Sequence, residues 1–176
     1  MSTIEPSSTI EPSSTIEPSS TIEPIRASTS VRLDPAAAFE LFTARIDTWW
    51  PLETHSRAAD DFDGEGVKVD RVDFQSFPGG KVLEHLSNGQ VLPWGEVLVW
   101  EPPFRFVLAW KPNSNANPPT ELEVRFTPQP DGTLVELEHR GWERLGEIAL
   151  QARGSYGDGW SISLGRFQEA ADREVA

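Results

Sequence analysis

The sequence predicts an α+β domain: an antiparallel sheet covered by a long C-terminal helix, with short helices after the first strand. Three observations carry this. Between residue 67 and His139, apolar residues recur in short runs rich in Val, Leu, Phe and Trp, cut by Gly, Pro, Asn and Asp. The connections between those runs are short, which makes neighbouring strands antiparallel. From Trp160 onward the period changes. Trp160, Leu164, Phe167 and Ala171 fall at i, i+4, i+7 and i+11, an apolar stripe on a helix of about four turns.

Each element follows from local chemistry. Ile25–Leu33 is the first strand, with Thr29 and Val31 favouring it. Asp34 and Pro35 then provide an N-cap and an N1 proline. The helix they open, Ala36–Ile46, turns Phe39, Phe42 and Ile46 to the core. Pro51 stops any helix running through Trp49-Trp50. Ala59–Glu65 is acidic and contains Gly64, so it reads as a loop.

Val67–Phe74 and Lys81–Leu86 are strands joined through Phe77-Pro78-Gly79-Gly80, and Ser87-Asn88-Gly89 is a hairpin signal. Val91–Trp100 and Phe104–Trp110 come next, separated by the turn at Glu101-Pro102-Pro103. After the polar loop Lys111–Pro119, Glu121–Thr127 pairs with Thr133–Arg140 across Pro130-Asp131-Gly132. Gly141–Arg153 reads as a helix carrying Leu145, Ile148 and Ala152 on one side. Glycines 154, 157 and 159 then bend one long helix or split it in two.

Residues ahead of the first strand have a different character. The hexamer STIEPS at Ser2–Ser7 recurs at Ser8–Ser13 and Ser14–Ser19, and Ser20–Pro24 begins a fourth copy. A proline every six residues interrupts helix and ladder pairing alike. One Ile per hexamer buries too little surface to offset chain entropy. The expected organisation is a disordered tail over 1–24 and one domain over 25–176.

Composition excludes several function classes. The chain has 15 Lys and Arg against 28 Asp and Glu, a formal charge of −13. That balance disfavours nucleic acid and anionic membrane surfaces as partners. With no cysteine there is no disulfide scaffold, thiolate zinc site or cysteine nucleophile. No apolar run approaches the ~20 residues of a spanning helix, and the N-terminus lacks the pattern of a signal peptide. The expectation is a soluble, cytoplasmic protein. Seven Trp and nine Phe beside a single Tyr make an aromatic surface that mostly lacks hydroxyls, suited to an apolar interior or pocket.

Candidate site residues follow from that aromatic content and from strand phase. Trp49, Trp50, Trp94, Trp110, Phe126 and Trp160 are candidate walls for an apolar ligand, and Leu164 shares the stripe of Trp160. His139 lies in phase with Val135 and Leu137, which makes it a candidate polar anchor or acid/base group. Glu96 shares a phase with Trp94, Leu98 and Trp100, and a carboxylate turned to an apolar cavity would be a second anchor. His85, in the strand Lys81–Leu86, has the same ambiguity as His139. Glu84 likewise stands in a strand among apolar neighbours, and the alternative for Glu96 is a pair with Arg or Lys across the sheet. His55 sits in a polar loop and reads as solvated.

No metal is expected, because His55, His85 and His139 lack ligand spacing. Asp60-Asp61-Asp63-Gly64 lacks the register and terminal Glu of a calcium loop. No cofactor motif and no nucleophile elbow occurs, and no catalytic residue is assigned.

The order of elements resembles the helix-grip fold of the START-like (SRPBCC) superfamily. Local motifs narrow this to its AHSA-type branch, homologues of the C-terminal domain of the heat-shock-protein-90 ATPase activator. The residues carrying the match are VRLDPAAAFELF at Val31–Phe42, Trp49-Trp50-Pro51, GGKVLE at Gly79–Glu84, WGEVLVWEPP at Trp94–Pro103, FVLAW at Phe106–Trp110, TELEVRF at Thr120–Phe126, DGTLVELEHRGW at Asp131–Trp142, and Gly159-Trp160. The resemblance covers about residues 25–175. It implies a curved sheet gripping the long helix, with a cavity between them. Relatives bind lipids, hormones, polyketides or other apolar ligands, and some catalyse cyclisation or dehydration there. The expected function is binding of a small, mostly apolar molecule. A cyclase, dehydratase or hydrolase using the same cavity and a chaperone-interacting protein are the alternatives.

Overall fold

The structure, a computed structural model, describes residues 21–176. The repeat reading therefore falls, over residues 1–20, outside the described residues. Thr21–Pro24 have no regular secondary structure, and the Glu23 carbonyl accepts a 2.7 Å hydrogen bond from Arg153 Nε.

Seven strands form one antiparallel sheet: β1 (Ile25–Val31), β2 (Val69–Phe74), β3 (Lys81–Leu86), β4 (Val91–Glu101), β5 (Arg105–Trp110), β6 (Thr120–Gln129) and β7 (Gly132–Arg140). Their order is β1-β7-β6-β5-β4-β3-β2, so the meander is closed on one side by the first strand. The sheet curls into a half-barrel around the C-terminal helix, which is the helix-grip fold.

Among the described residues four α-helices complete it: α1 (Pro35–Phe42), α2 (Arg57–Asp61), α3 (Ala149–Tyr156) and α4 (Gly159–Glu174). The side chain of Asp34 caps α1 by accepting from Ala37 N at 2.9 Å, with Pro35 in the first turn. This helix ends earlier than its apolar stripe predicts. The Thr43 hydroxyl donates to the Phe39 carbonyl, the chain turns, and Ile46 is buried from a separate 3₁₀ turn, Ile46–Thr48.

Two further differences concern helices. Part of the predicted loop 59–65 belongs to α2, capped by Ser56 Oγ on Ala59 N. The predicted continuous helix 141–153 is broken at Gly146 (φ 59°, ψ −127°), so Trp142–Ile148 is 3₁₀ in character and α3 starts at Ala149. A left-handed φ of this kind is cheap only for glycine. The C-terminal stripe behaves as its spacing predicts, with Trp160, Leu164, Phe167 and Ala171 buried on α4.

Strand β4 carries two bulges that matter for the site. Val82 pairs with Gly95 but Leu83 pairs with Pro93, so Trp94 is an extra residue. A second register shift lies between Val97 and Val99. Each bulge reverses the side-chain phase of the residues beyond it. Trp94 and Val97 are consequently both buried, while Glu96 and Leu98 face out. Gly95 is needed at the first bulge, because a Cβ there would sit 2.4 Å from the Ala109 carbonyl oxygen.

The space between sheet and helices is filled at one end. Phe39, Phe42, Trp49, Phe106, Phe126 and Phe167 pack edge-on or tilted, with ring centroids 4.8 Å apart at Phe42–Trp49 and 5.1 Å at Phe42–Phe167. Edge and tilted contacts match the aromatic quadrupoles and add to the burial energy.

Candidate functional site

At the other end a cleft of about 620 Å³ opens between the sheet, the 111–119 loop and the segments leading into α3 and α4. That volume is ordinary for a small-molecule site. Five indoles line it, Trp50, Trp94, Trp110, Trp142 and Trp160. Their ring centroids lie 5.3 Å apart at Trp50–Trp94, 5.9 Å at Trp50–Trp160 and 5.6 Å at Trp110–Trp160. Tyr156 stacks on Trp160 at 5.8 Å with an interplanar angle of 13°. Ile148 and Ile162 stand half-exposed among the lining residues.

All five indole N–H groups are committed to protein acceptors. Trp50 Nε1 donates to the His55 carbonyl, Trp94 Nε1 to the Glu84 carboxylate, Trp110 Nε1 to the Tyr156 hydroxyl, Trp142 Nε1 to the His139 carbonyl and Trp160 Nε1 to His139 Nδ1. The indoles therefore have ring carbon and π-surface to offer a ligand, and no unused donor. Orientation of these rings is set by the groups behind them.

Two buried polar residues do that work. Glu84 is fully buried and takes three donors: Arg57 N at 2.9 Å, Ala58 N at 2.8 Å and Trp94 Nε1. One carboxylate thus ties the first turn of α2 to the sheet and to a cleft wall. His139 is also fully buried, with the rings of Trp142, Tyr156 and Trp160 around it. Because Trp160 donates to Nδ1, the neutral ring carries its proton on Nε2 and donates to Thr120 Oγ1 at 2.7 Å. The Thr120 hydroxyl in turn donates to the Trp110 carbonyl. Burial pushes the His139 pKa down to about 3, which keeps the ring neutral.

Titratable groups in the lining are few. Burial pushes the Tyr156 hydroxyl up to about 12. The Asp60 carboxyl is raised by partial burial and by the neighbouring charge of Asp61. Among the described residues no group of three or more His, Asp or Glu is placed to hold a metal ion. No helix there is long and apolar enough to cross a membrane.

Comparison with known proteins decides the family. The model of activator of Hsp90 ATPase homolog 1-like proteins matches residues 32–172. The chain belongs to this family. No curated protein matches it. Solved structures share the family fold: a Mesorhizobium loti protein aligns with a TM-score of 0.61 at 18% identity, over 86% of this chain and 98% of its own. The self-sacrificing resistance protein CalC from Micromonospora echinospora aligns with a TM-score of 0.62 at 24% identity, over 86% and 95%. An anthrahydroquino-γ-pyrone synthase aligns with a TM-score of 0.57 at 28% identity, over 86% and 98%.

In this AHSA1-family chain the residues singled out from sequence fall into three groups. Trp50, Trp94, Trp110 and Trp160 come together on the cleft. Trp49, Phe126, Leu164 and His139 lie behind it: Trp49 donates to the Leu41 carbonyl within the core, Phe126 packs on Phe39 and Phe42, and Leu164 is buried on α4. Glu96 and His85 stand elsewhere, which corrects the expectation that both face inward. The bulge at Trp94 turns Glu96 outward to pair with Lys81 at 3.3 Å. In β3 it is Val82, Glu84 and Leu86 that are buried, so His85 points to the outer face beside Arg71.

The lining residues not singled out are chiefly Tyr156, Asp60, Thr54 and Lys111. For Tyr156 a signal exists: it is the single Tyr of the sequence, inside the glycine-rich stretch that interrupts the helices.

Proposed function

We propose that this chain binds a small, mostly apolar and flat molecule in the cleft. The observation that carries the reading is the set of five lining indoles whose N–H groups are all turned to protein acceptors. A surface of that kind rewards dispersion and stacking and penalises groups that need hydrogen bonds from the walls. Trp50, Trp94, Trp110 and Trp160 are the proposed contact residues. Trp49, Phe126, Leu164 and His139 support them from behind, and Glu96 and His85 have no part in the proposal.

The 28%-identical synthase, whose name describes a fused aromatic product, supports a flat polycyclic ligand over a flexible lipid. Holding is favoured over turnover because, of the two sequence candidates for acid/base work, His139 is buried and neutral behind the walls and Glu96 faces out beside Lys81. The absence of cysteine fits a reducing cytoplasm. Family membership favours one second reading, contact with an Hsp90-type chaperone through an outer surface. That reading needs no occupant in the cleft.

Mass spectrometry of the gently purified protein, native beside denatured, tests the proposal. A reproducible small adduct that leaves on denaturation is the expected result. A bare mass, together with an unfolding temperature unmoved by a series of flat aromatic compounds, contradicts it and favours the chaperone reading.

A further inference from the structure

The hydroxyl of Tyr156 is placed differently from the other polar groups around the indoles. It accepts the Trp110 Nε1–H at 3.0 Å, so its acceptor side is occupied, and it donates no hydrogen bond among the described residues. Three other hydroxyls of the lining are already spent as donors, Ser155 on the Ala152 carbonyl, Thr120 on the Trp110 carbonyl and Thr54 on the Pro51 carbonyl, while Ser56 and Ser163 lack the fixed aromatic seat of Tyr156. The ring is fixed by its stack on Trp160 and by its edge contacts with His139 and Trp142. The O–H bond therefore has one free rotation and an unused proton beside the aromatic walls.

We infer that Tyr156 is a specificity-determining residue that donates its hydroxyl proton to a neutral carbonyl oxygen on a flat aromatic ligand. This rests on the ligand-binding reading above and names the ligand class. A ligand without an acceptor leaves a half-buried donor unpaired, and one with a carbonyl pairs it. An anionic oxygen is disfavoured, because Asp60 and Asp158 also line the cleft and Lys111 is the one Lys or Arg among the lining residues. Burial keeps the phenol protonated across the physiological range, so the donor is present at every working pH.

The test compares two rigid probes of nearly the same shape, 9-fluorenone and fluorene, by titration calorimetry or intrinsic Trp fluorescence with the full chain and with Tyr156→Phe. The expected result is about tenfold tighter binding of 9-fluorenone than of fluorene to the wild type, the size of one hydrogen bond to a neutral acceptor. In Tyr156→Phe that preference disappears or inverts, and the readout is the ratio of the two affinities, because loss of the Trp110 hydrogen bond shifts the binding of both probes together. A preference that persists in Tyr156→Phe overturns the assignment and passes the role to another lining hydroxyl such as Ser163. Equal binding of both probes to the wild type overturns it while leaving the apolar cleft intact. Failure of both probes to bind removes the ligand-binding reading itself.

Discussion

Glu84→Ala is expected to destabilise the fold by about 3–5 kcal/mol, measured by urea unfolding at neutral pH. The carboxylate accepts from Arg57 N, Ala58 N and Trp94 Nε1, and no water-exposed side is left to it. Removing it leaves three donors unpaired in a site with no solvent, each costing about 1–3 kcal/mol if nothing relaxes. Part of this returns as α2 loosens, which is why the expected total lies below the simple sum. Glu84→Gln keeps the shape and one good acceptor, so a loss of about 2 kcal/mol is expected. The same two variants should disturb ligand binding, since Trp94 loses the partner that orients it. A Glu84→Ala protein as stable as the wild type would mean that α2 and Trp94 are not held by this carboxylate.

His139 makes the stability depend on pH. Its ring titrates near 3 in the folded protein and near its ordinary 6.5 in the unfolded chain. Between those values the unfolded state binds a proton that the folded state refuses. Stability is therefore whole above about 6.5 and declines as pH falls toward 3. From pH 7 to pH 5 the expected loss from this residue alone is about 2 kcal/mol. The carboxylates of Glu121 and Glu123, held below the ordinary value by Arg140 with Arg144 and Arg105 against the opposing effect of burial, lose stability at lower pH than this window. His139→Gln removes the titration and can still accept from Trp160 and donate to Thr120. Unfolding curves at pH 7 and pH 5 should show the wild type losing about 2 kcal/mol more than the variant. Equal losses would mean that His139 ionises inside the fold.

The sheet is legible in the sequence because each strand carries its own turn chemistry and its own two-residue period. Strand β3 falls at the predicted Lys81–Leu86, and α4 buries the predicted stripe. Helices with weak stripes are less legible: α2 is five residues long and depends on Ser56 and on Glu84, which lies in a distant strand. Strict alternation misplaces Glu96 because it runs unbroken through Trp94 and Gly95, where one extra residue reverses the phase. A bulge depends on how the neighbouring strands meet, and Gly95 within a strand is its one local sign. The role of Glu84 is hidden for a related reason: two of its partners are backbone N–H groups, which no side-chain pattern reveals. Four of the five tryptophans expected as walls do meet at the cleft. Trp49 is separated from its neighbour Trp50 because the chain turns there to place one indole in the core and the other at the opening.

The measurement closest to the central claim is a ¹⁵N-NMR titration of the full chain with 2-naphthol, watching the indole N–H signals of its seven tryptophans. Saturable shifts are expected at Trp50, Trp94, Trp110 and Trp160, with Trp49 and Trp100 nearly still. Shifts confined to the outer face of the sheet, or no saturable shift at any indole, would contradict it.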